Sequence, residues 1–214
     1  MITKITNNVV SSISKCFNVN ELTGQMESRV LDTNVILPMF ACRCFVNFNG
    51  VPISGTYSRD ANGLVTVSMT AHDMTTGMRA NLDFTSGTAN DGTYVVTVTG
   101  VNSFTIQDTV NGVTSGNVTA NIRIRASGNI SKVDKKSGTG KYEIFFLIPM
   151  PDINYVVNAN CSSDFGTTQE GSCTIHSIAA SENAPTVNRF VIGTEKFAGT
   201  GSFDTKYLSV TVFR

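Results

Sequence analysis

The sequence predicts an all-β protein, and three observations predict it. From Arg43 onward apolar residues recur at every second position, as in LVTVSMT, where Val65, Val67 and Met69 share one face; that period of two marks a half-buried strand. Turn residues punctuate these runs at Asn62-Gly63, Asp91-Gly92, Asn111-Gly112 and Ser137-Gly138-Thr139-Gly140, as tight hairpins demand. Charged residues make up only 15% of the 214 positions, with Thr, Ser, Asn and Gly abundant. That composition suits sheets with polar, weakly charged outer faces. The expected architecture is a β-sandwich interrupted by an inserted small β-domain and preceded by a short, partly helical N-terminal attachment segment.

Taken in order, residues 1–40 differ in texture from the rest. Leu22, Met26 and Val30 sit four apart behind Asn20, a suitable N-cap, which predicts a short amphipathic helix over residues 21–31. Gly24 weakens that helix by about 1 kcal/mol. Such a helix either packs on its own domain or docks on a larger assembly. Residues 41–50 (ACRCFVNFNG) read as the first strand and turn of the sandwich, which resumes at residues 117–214. Between them, residues 51–116 form the insert, entered through PISGT and left through VTSGN. These Gly- and Ser-rich junctions suit a unit whose ends lie close together. Its inward positions are Val65, Val67 and Met69, then Tyr94, Val96 and Val98 on one strand, then Phe104 and Ile106.

The second half places Val118, Ala120, Ile122 and Ile124 on one face of a strand, opposite Arg123 and Arg125. After the turn at 137–140, residues 142–148 (YEIFFLI) are apolar on both faces. A strand of that kind is either covered on both sides or exposed at a subunit contact. Self-association is the simplest cover, with the N-terminal segment as the alternative. Pro149 and Pro151 end the ladder, and strands follow at residues 155–161, 173–178, 187–192 and 207–213. The polar, glycine-rich stretches 162–172 and 196–204 read as loops where recognition would sit.

Bulk properties narrow the function. The formal net charge is +0, which gives no electrostatic footprint for nucleic acid. The N-terminus lacks a continuous apolar run of signal-peptide type. Residues 35–42 (VILPMFAC) fall far short of the roughly 20 residues that span a bilayer. The expectation is a soluble chain made in a cytoplasm, without membrane insertion. Five cysteines exclude a complete disulfide framework within one chain.

No residue is expected to be catalytic, cofactor-binding or metal-ligating. KKSGTGKYE contains GTGK, but a phosphate-binding loop needs Gly at Lys135, Ser or Thr at Tyr142, and a following helix. Cys161, Cys173 and His176, with Cys42 or Cys44, lack any CxxC spacing, and Cys173 and His176 face opposite ways on a straight strand. Cys42 and Cys44 point to one face, one of them into the core. His72-Asp73 stands beside many hydroxyls with no sign of a nucleophile elbow, so His72 is expected to tie a turn together. No acidic pair announces glycoside chemistry.

CFVNFNG, then IRASGNISKV, then GTGKYEIFFLIPMPDINYVV and a closing SVTVF resemble a tail-fibre or virion-appendage β-domain of tailed bacteriophages, notably cyanobacterial and other aquatic phages. In that pattern an FNG turn precedes an IRAS strand, a G-x-G-x-Y hairpin and an MPD-x-NY corner. The insert, with AHDMTTG, DFTSG and DGTY, is similar to another phage-associated β-module. The resemblance covers about residues 41–155, and departs from the pattern at Cys42-Arg43-Cys44. It implies a non-enzymatic virion structural protein, homotrimeric, attached to other virion proteins through its N-terminal segment. The expected ligand of its loops is a host-surface glycan or protein. A capsid decoration protein or head fibre is the alternative. Release by host lysis then explains the absence of a signal and the reduced cysteines.

Overall fold

The computed structural model describes residues 15–19, 26–30, 42–162, 171–175, 183–196 and 201–214. Within them the chain is all-β and contains no helix. It divides into two compact units, residues 1–39 and 40–214. In the first, β1 (Lys15–Val19) pairs antiparallel with β2 (Met26–Val30). The helix expected over residues 21–31 is thus described only at Met26–Val30, which is strand; its other residues lie outside the described ones.

The second unit starts with β3 (Cys42–Asn49), which alternates into its core through Cys44, Val46 and Phe48. It continues with β4 (Ile53–Arg59), β5 (Leu64–Ser68), β6 (Arg79–Asp83), β7 (Gly92–Val95), β8 (Thr97–Gly100) and β9 (Ser103–Gln107). Then come β10 (Thr114–Gly128), β11 (Ile130–Lys135), β12 (Lys141–Phe146), β13 (Val156–Cys161), β14 (Gly171–Ile175), β15 (Arg189–Lys196) and β16 (Leu208–Phe213). One sheet runs β13-β16-β3-β10-β4-β5-β9-β8, with β6 on the other edge of β10 and β7 beside β6. A second sheet runs β11-β12-β15-β14. Every pairing is antiparallel.

Two separate cores result. The larger lies between the second sheet and the β13-β16-β3-β10 end of the first, built on Phe48, Ile124, Tyr142, Ile144, Phe190 and Val210. The smaller is built on Tyr57, Val65, Val67, Leu82, Phe104 and Val118. Strand β10 serves both. Val118 and Ala120 enter the smaller core, Ile122 and Ile124 the larger.

They do so on opposite faces of the sheet, which corrects the single face expected from parity. Against β6, Ala120 pairs with Leu82 and Ile122 with Asn81, so Asn121 is an extra residue. Directly opposed residues of an antiparallel pair point the same way. Ala120 therefore shares the face of Leu82, while Ile122 shares that of Asn81, whose amide bonds Asp134 of β11 at 3.1 Å. A bulge of one residue inverts every side chain after it.

Other differences are local. All of the VTSGN junction but Val113 belongs to the 15-residue strand β10. The strand expected through Tyr94, Val96 and Val98 breaks at Val96, because β7 pairs with β6 and β8 with β9. All three side chains still meet the smaller core. Gly63, Gly112 and Gly138 sit at turns with positive φ. Gly92 instead opens β7, and Asp91 accepts the Phe84 amide at 2.7 Å.

Strand β12 ends at Phe146, short of the expected Ile148. Its second face is partly covered by Lys132, whose Nζ lies 4.5 Å from the Phe145 ring centre. Leu147 and Ile148 are exposed.

Candidate functional site

The FNG, IRAS and G-x-G-x-Y residues meet at the larger core. FNG and IRAS lie side by side, with Phe48 opposite Ile124 and Asn49 opposite Arg123. Tyr142, from the G-x-G-x-Y hairpin, packs edge-on against Phe48 with ring centres 5.2 Å apart. Gly50 is required here: a Cβ at this position would stand 2.4 Å from the Tyr142 hydroxyl oxygen. That hydroxyl donates to Asp204 Oδ1 at 2.9 Å. Asp204 also accepts Lys135 Nζ at 2.5 Å and the Gly140 amide at 2.9 Å. Burial, then the charge of Asp204, pushes the Tyr142 hydroxyl far above the ordinary phenol range, so it acts as a fixed donor.

Beside this knot opens a cavity of about 430 Å³ whose walls include Val51, Ser162, Asp204, Thr205, Lys206 and Tyr207. Tyr207 is exposed, and the Arg125 guanidinium lies 4.3 Å from its ring centre. Thr205 and Ser162 bond each other at 3.0 Å. An aromatic face flanked by hydroxyls and an ammonium can hold a small polar molecule such as a sugar unit. The carboxylate among these wall residues, Asp204, is committed to Lys135, Gly140 and Tyr142. The GTGK segment forms the β11–β12 hairpin that supplies Gly140 to Asp204, a structural use of the sequence.

Arg123 is the anomaly. It is 4% exposed, and its Nε and Nη1 have no hydrogen-bond partner among the described residues. The bulge at Asn121 turns it onto the face of Ala80, its partner in β6. Burial lowers its pKa, and the charge of Asp73 partly restores it. Asp73 and Ala71 both have φ of 54°. Between them His72 is buried; its Nδ1 accepts the Met74 amide at 3.1 Å and its ring lies edge-on to Phe104 at 5.5 Å. The histidine ties this turn together.

In the smaller core, Arg59 and Asp108 form a solvent-excluded ion pair at 2.5 Å. Arg59 also donates to the Gly112 and Thr88 carbonyls at 2.8 and 3.1 Å. Burial pushes the Asp108 carboxyl up, but Arg59 and the amides of Asn90, Val110 and Thr109 outweigh it and hold the group below its ordinary value. Sequence reasoning passed over this pair. Its signal was present: Arg59 follows Tyr57 and Asp108 follows Ile106 at inward positions, where an isolated charge is costly.

Of the cysteines, Cys44 is core and its thiol is pushed up to about 12, by burial and then by Cys42. Cys42 is exposed and donates to the Cys44 carbonyl at 3.1 Å. A register shift between Val212 and Phe213 separates their environments. Cys161 and Cys173 are half-buried, whereas His176 lies outside the described residues. Among the described residues no group of three His, Cys, Asp or Glu side chains could hold a metal ion.

The fold and site define an all-β protein with two cores strung on one bulged strand. No family model, curated protein or solved structure matches the chain.

Proposed function

We propose that this chain is a phage virion structural protein of the tail-fibre kind, attached to the particle through its first 40 or so residues, with its β-domains projecting. One observation supports the reading: the motif side chains that carry the resemblance are engaged in scaffold contacts. Phe48, Gly50 and Tyr142 build the knot above. In the MPD-x-NY corner Met150 is buried, Asp152 binds Arg214 Nε at 2.8 Å, and the Tyr155 hydroxyl donates to the Thr186 and Arg189 carbonyls at 3.0 and 3.1 Å. Such a motif specifies a shape. Recognition then falls to the loops and to the cavity beside Tyr207, where a host-surface glycan is the ligand its chemistry suits.

Assembly as a homotrimer belongs to the same proposal. Leu147, Ile148, Ile153 and Val156 are each more than 60% exposed, and the stretch from 147 to 156 leaves an apolar strip that a second copy can cover. The deciding experiment labels intact virions from lysates of the source culture with a gold-tagged antibody raised against the recombinant chain. Gold at the tail is the expected result. Gold spread over the head makes the protein a capsid decoration protein or head fibre, and unlabelled particles overturn both.

A further inference from the structure

The two sheets around the larger core are joined differently along their two sides. On one side β10 ends at Gly128 and β11 begins at Ile130, so a single residue, Asn129, carries the chain from sheet to sheet. On the other side stand two edge strands, β13 of the first sheet and β14 of the second. These approach within 8 Å of each other without forming a ladder. Edges of that kind are where a sandwich frays first.

Each edge strand turns one cysteine inward at this seam. In β13 the inward positions are Val157, Ala159 and Cys161, and Cys173 of β14 packs on the same core. The Cys161 thiol stands near enough to that of Cys173 to raise its pKa further once burial has raised it. By contrast, Cys42 and Cys44 lie two residues apart on one strand, a poor placement for a bond between them.

We propose that Cys161 and Cys173 are a disulfide site: in an oxidising medium they close into an intramolecular bond that staples the open side of the sandwich. The reaction balances as two exchange steps with a small-molecule disulfide. One cysteine thiolate attacks a sulfur of the reagent and expels one thiolate, leaving a mixed disulfide. The second cysteine thiolate then attacks the protein sulfur of that adduct and expels the other. The two thiol protons pass to the two leaving thiolates, and two electrons end on the reagent. Burial, then the neighbouring Cys161, pushes the Cys173 thiol far above the ordinary thiol range. Closure is therefore slow at neutral pH and faster as pH rises, which suits a structural staple better than a rapid sensor. The inference does not depend on the virion reading, since any oxidising compartment suffices.

The test incubates the full chain with oxidised glutathione at about pH 8.5, where a larger thiolate fraction speeds exchange, and maps its peptides by mass spectrometry without reduction. The expected product is a Cys161–Cys173 cross-linked peptide two hydrogens lighter than the pair. Its formation should raise the Tm by about 5–10 °C, as expected for closing a loop of roughly a dozen residues in a chain of this size. Dithiothreitol should reverse the gain. In C161S and C173S the remaining cysteine should hold a stable glutathione adduct and show no gain. The proposal is overturned if both thiols of the native protein stay open to alkylation after oxidation, if each keeps glutathione without resolving, or if the bond forms and Tm does not rise. The peptide map of the native chain decides the first two outcomes whether or not the variants fold.

Discussion

The two cores share one strand yet settle their buried polar groups in opposite ways. The smaller encloses a complete ion pair: Arg59 and Asp108 are sealed from solvent, and Asp108 is ringed by the Asn90, Thr109 and Val110 amides. The larger places its charge at the rim, where Asp204 and Lys135 keep some exposure and Asp204 reaches inward to the Tyr142 hydroxyl and the Gly140 amide. A sealed pair is indispensable once present, because either partner alone is an uncompensated buried charge. A rim pair is worth less and leaves room for a cavity. The smaller core is therefore built for rigidity, and the larger leaves open beside it the cavity at Tyr207 to which the proposal assigns recognition.

Strand β10 gives the sharpest way to break that arrangement. Exchanging Ile122 and Arg123 keeps the composition but turns a guanidinium into the larger core and an isoleucine onto the face of Ala80. The expected outcome is loss of cooperative folding, read as loss of the near-UV circular dichroism signal and of a sigmoidal melt. Retention of a native-like melt would mean that the two cores do not depend on opposite faces of β10.

Next in size is the contrast between the two carboxylates. Asp108→Ala should cost about 3–5 kcal/mol by urea unfolding, since it strands Arg59 in a dry site. Asp204→Ala should cost about 1.5–3 kcal/mol, the worth of hydrogen bonds to a charged group that water partly replaces. Equal losses would erase the distinction between sealed and rim pairs.

Acid sharpens the same contrast. The folded-state pKa of Asp108 is depressed, so its contribution is fully present above the unfolded value of about 3.9 and is lost as pH falls through the folded value. Melts taken from pH 7 downward should show the native chain converging on Asp108→Asn only in the acid limb below about pH 4. Convergence near neutrality would contradict the direction of the shift.

Much of this fold was legible because alternation is a local signal. Val65, Val67, Met69, Phe104 and Ile106 are all buried as their parity predicts, and Gly63, Gly112 and Gly138 take the positive φ expected of turn glycines. What escaped was non-local. The bulge at Asn121 is set by pairing with β6, and the break at Val96 by a change of partner strand. The Tyr142–Asp204 bond joins residues far apart in sequence. His72 was read as a turn residue and is one, because the Met74 amide it accepts is only two positions away. The apolar second face of β12 was visible as well, though what covers Phe145 was not.

That last point gives the smallest expected effect. Lys132 sets its ammonium over the Phe145 ring and pairs with Asp134 at 2.5 Å, both side chains of that pair being partly exposed. An exposed cation over a ring and an exposed ion pair are worth at most about 1 kcal/mol each, and so about 2 kcal/mol together. Lys132→Ala should therefore lower stability by about that amount or less and leave the oligomeric state unchanged. If the strip from Leu147 to Val156 is the contact between copies, Leu147→Asp should do the reverse. It should shift sedimentation from the trimer to the 22.9 kDa monomer while leaving the near-UV spectrum of each chain intact, because Leu147 lies outside the core. A native chain that already sediments as a monomer would remove the assembly part of the proposal, and a Lys132→Ala variant that dissociates would move the contact from that strip onto the outer face of β12.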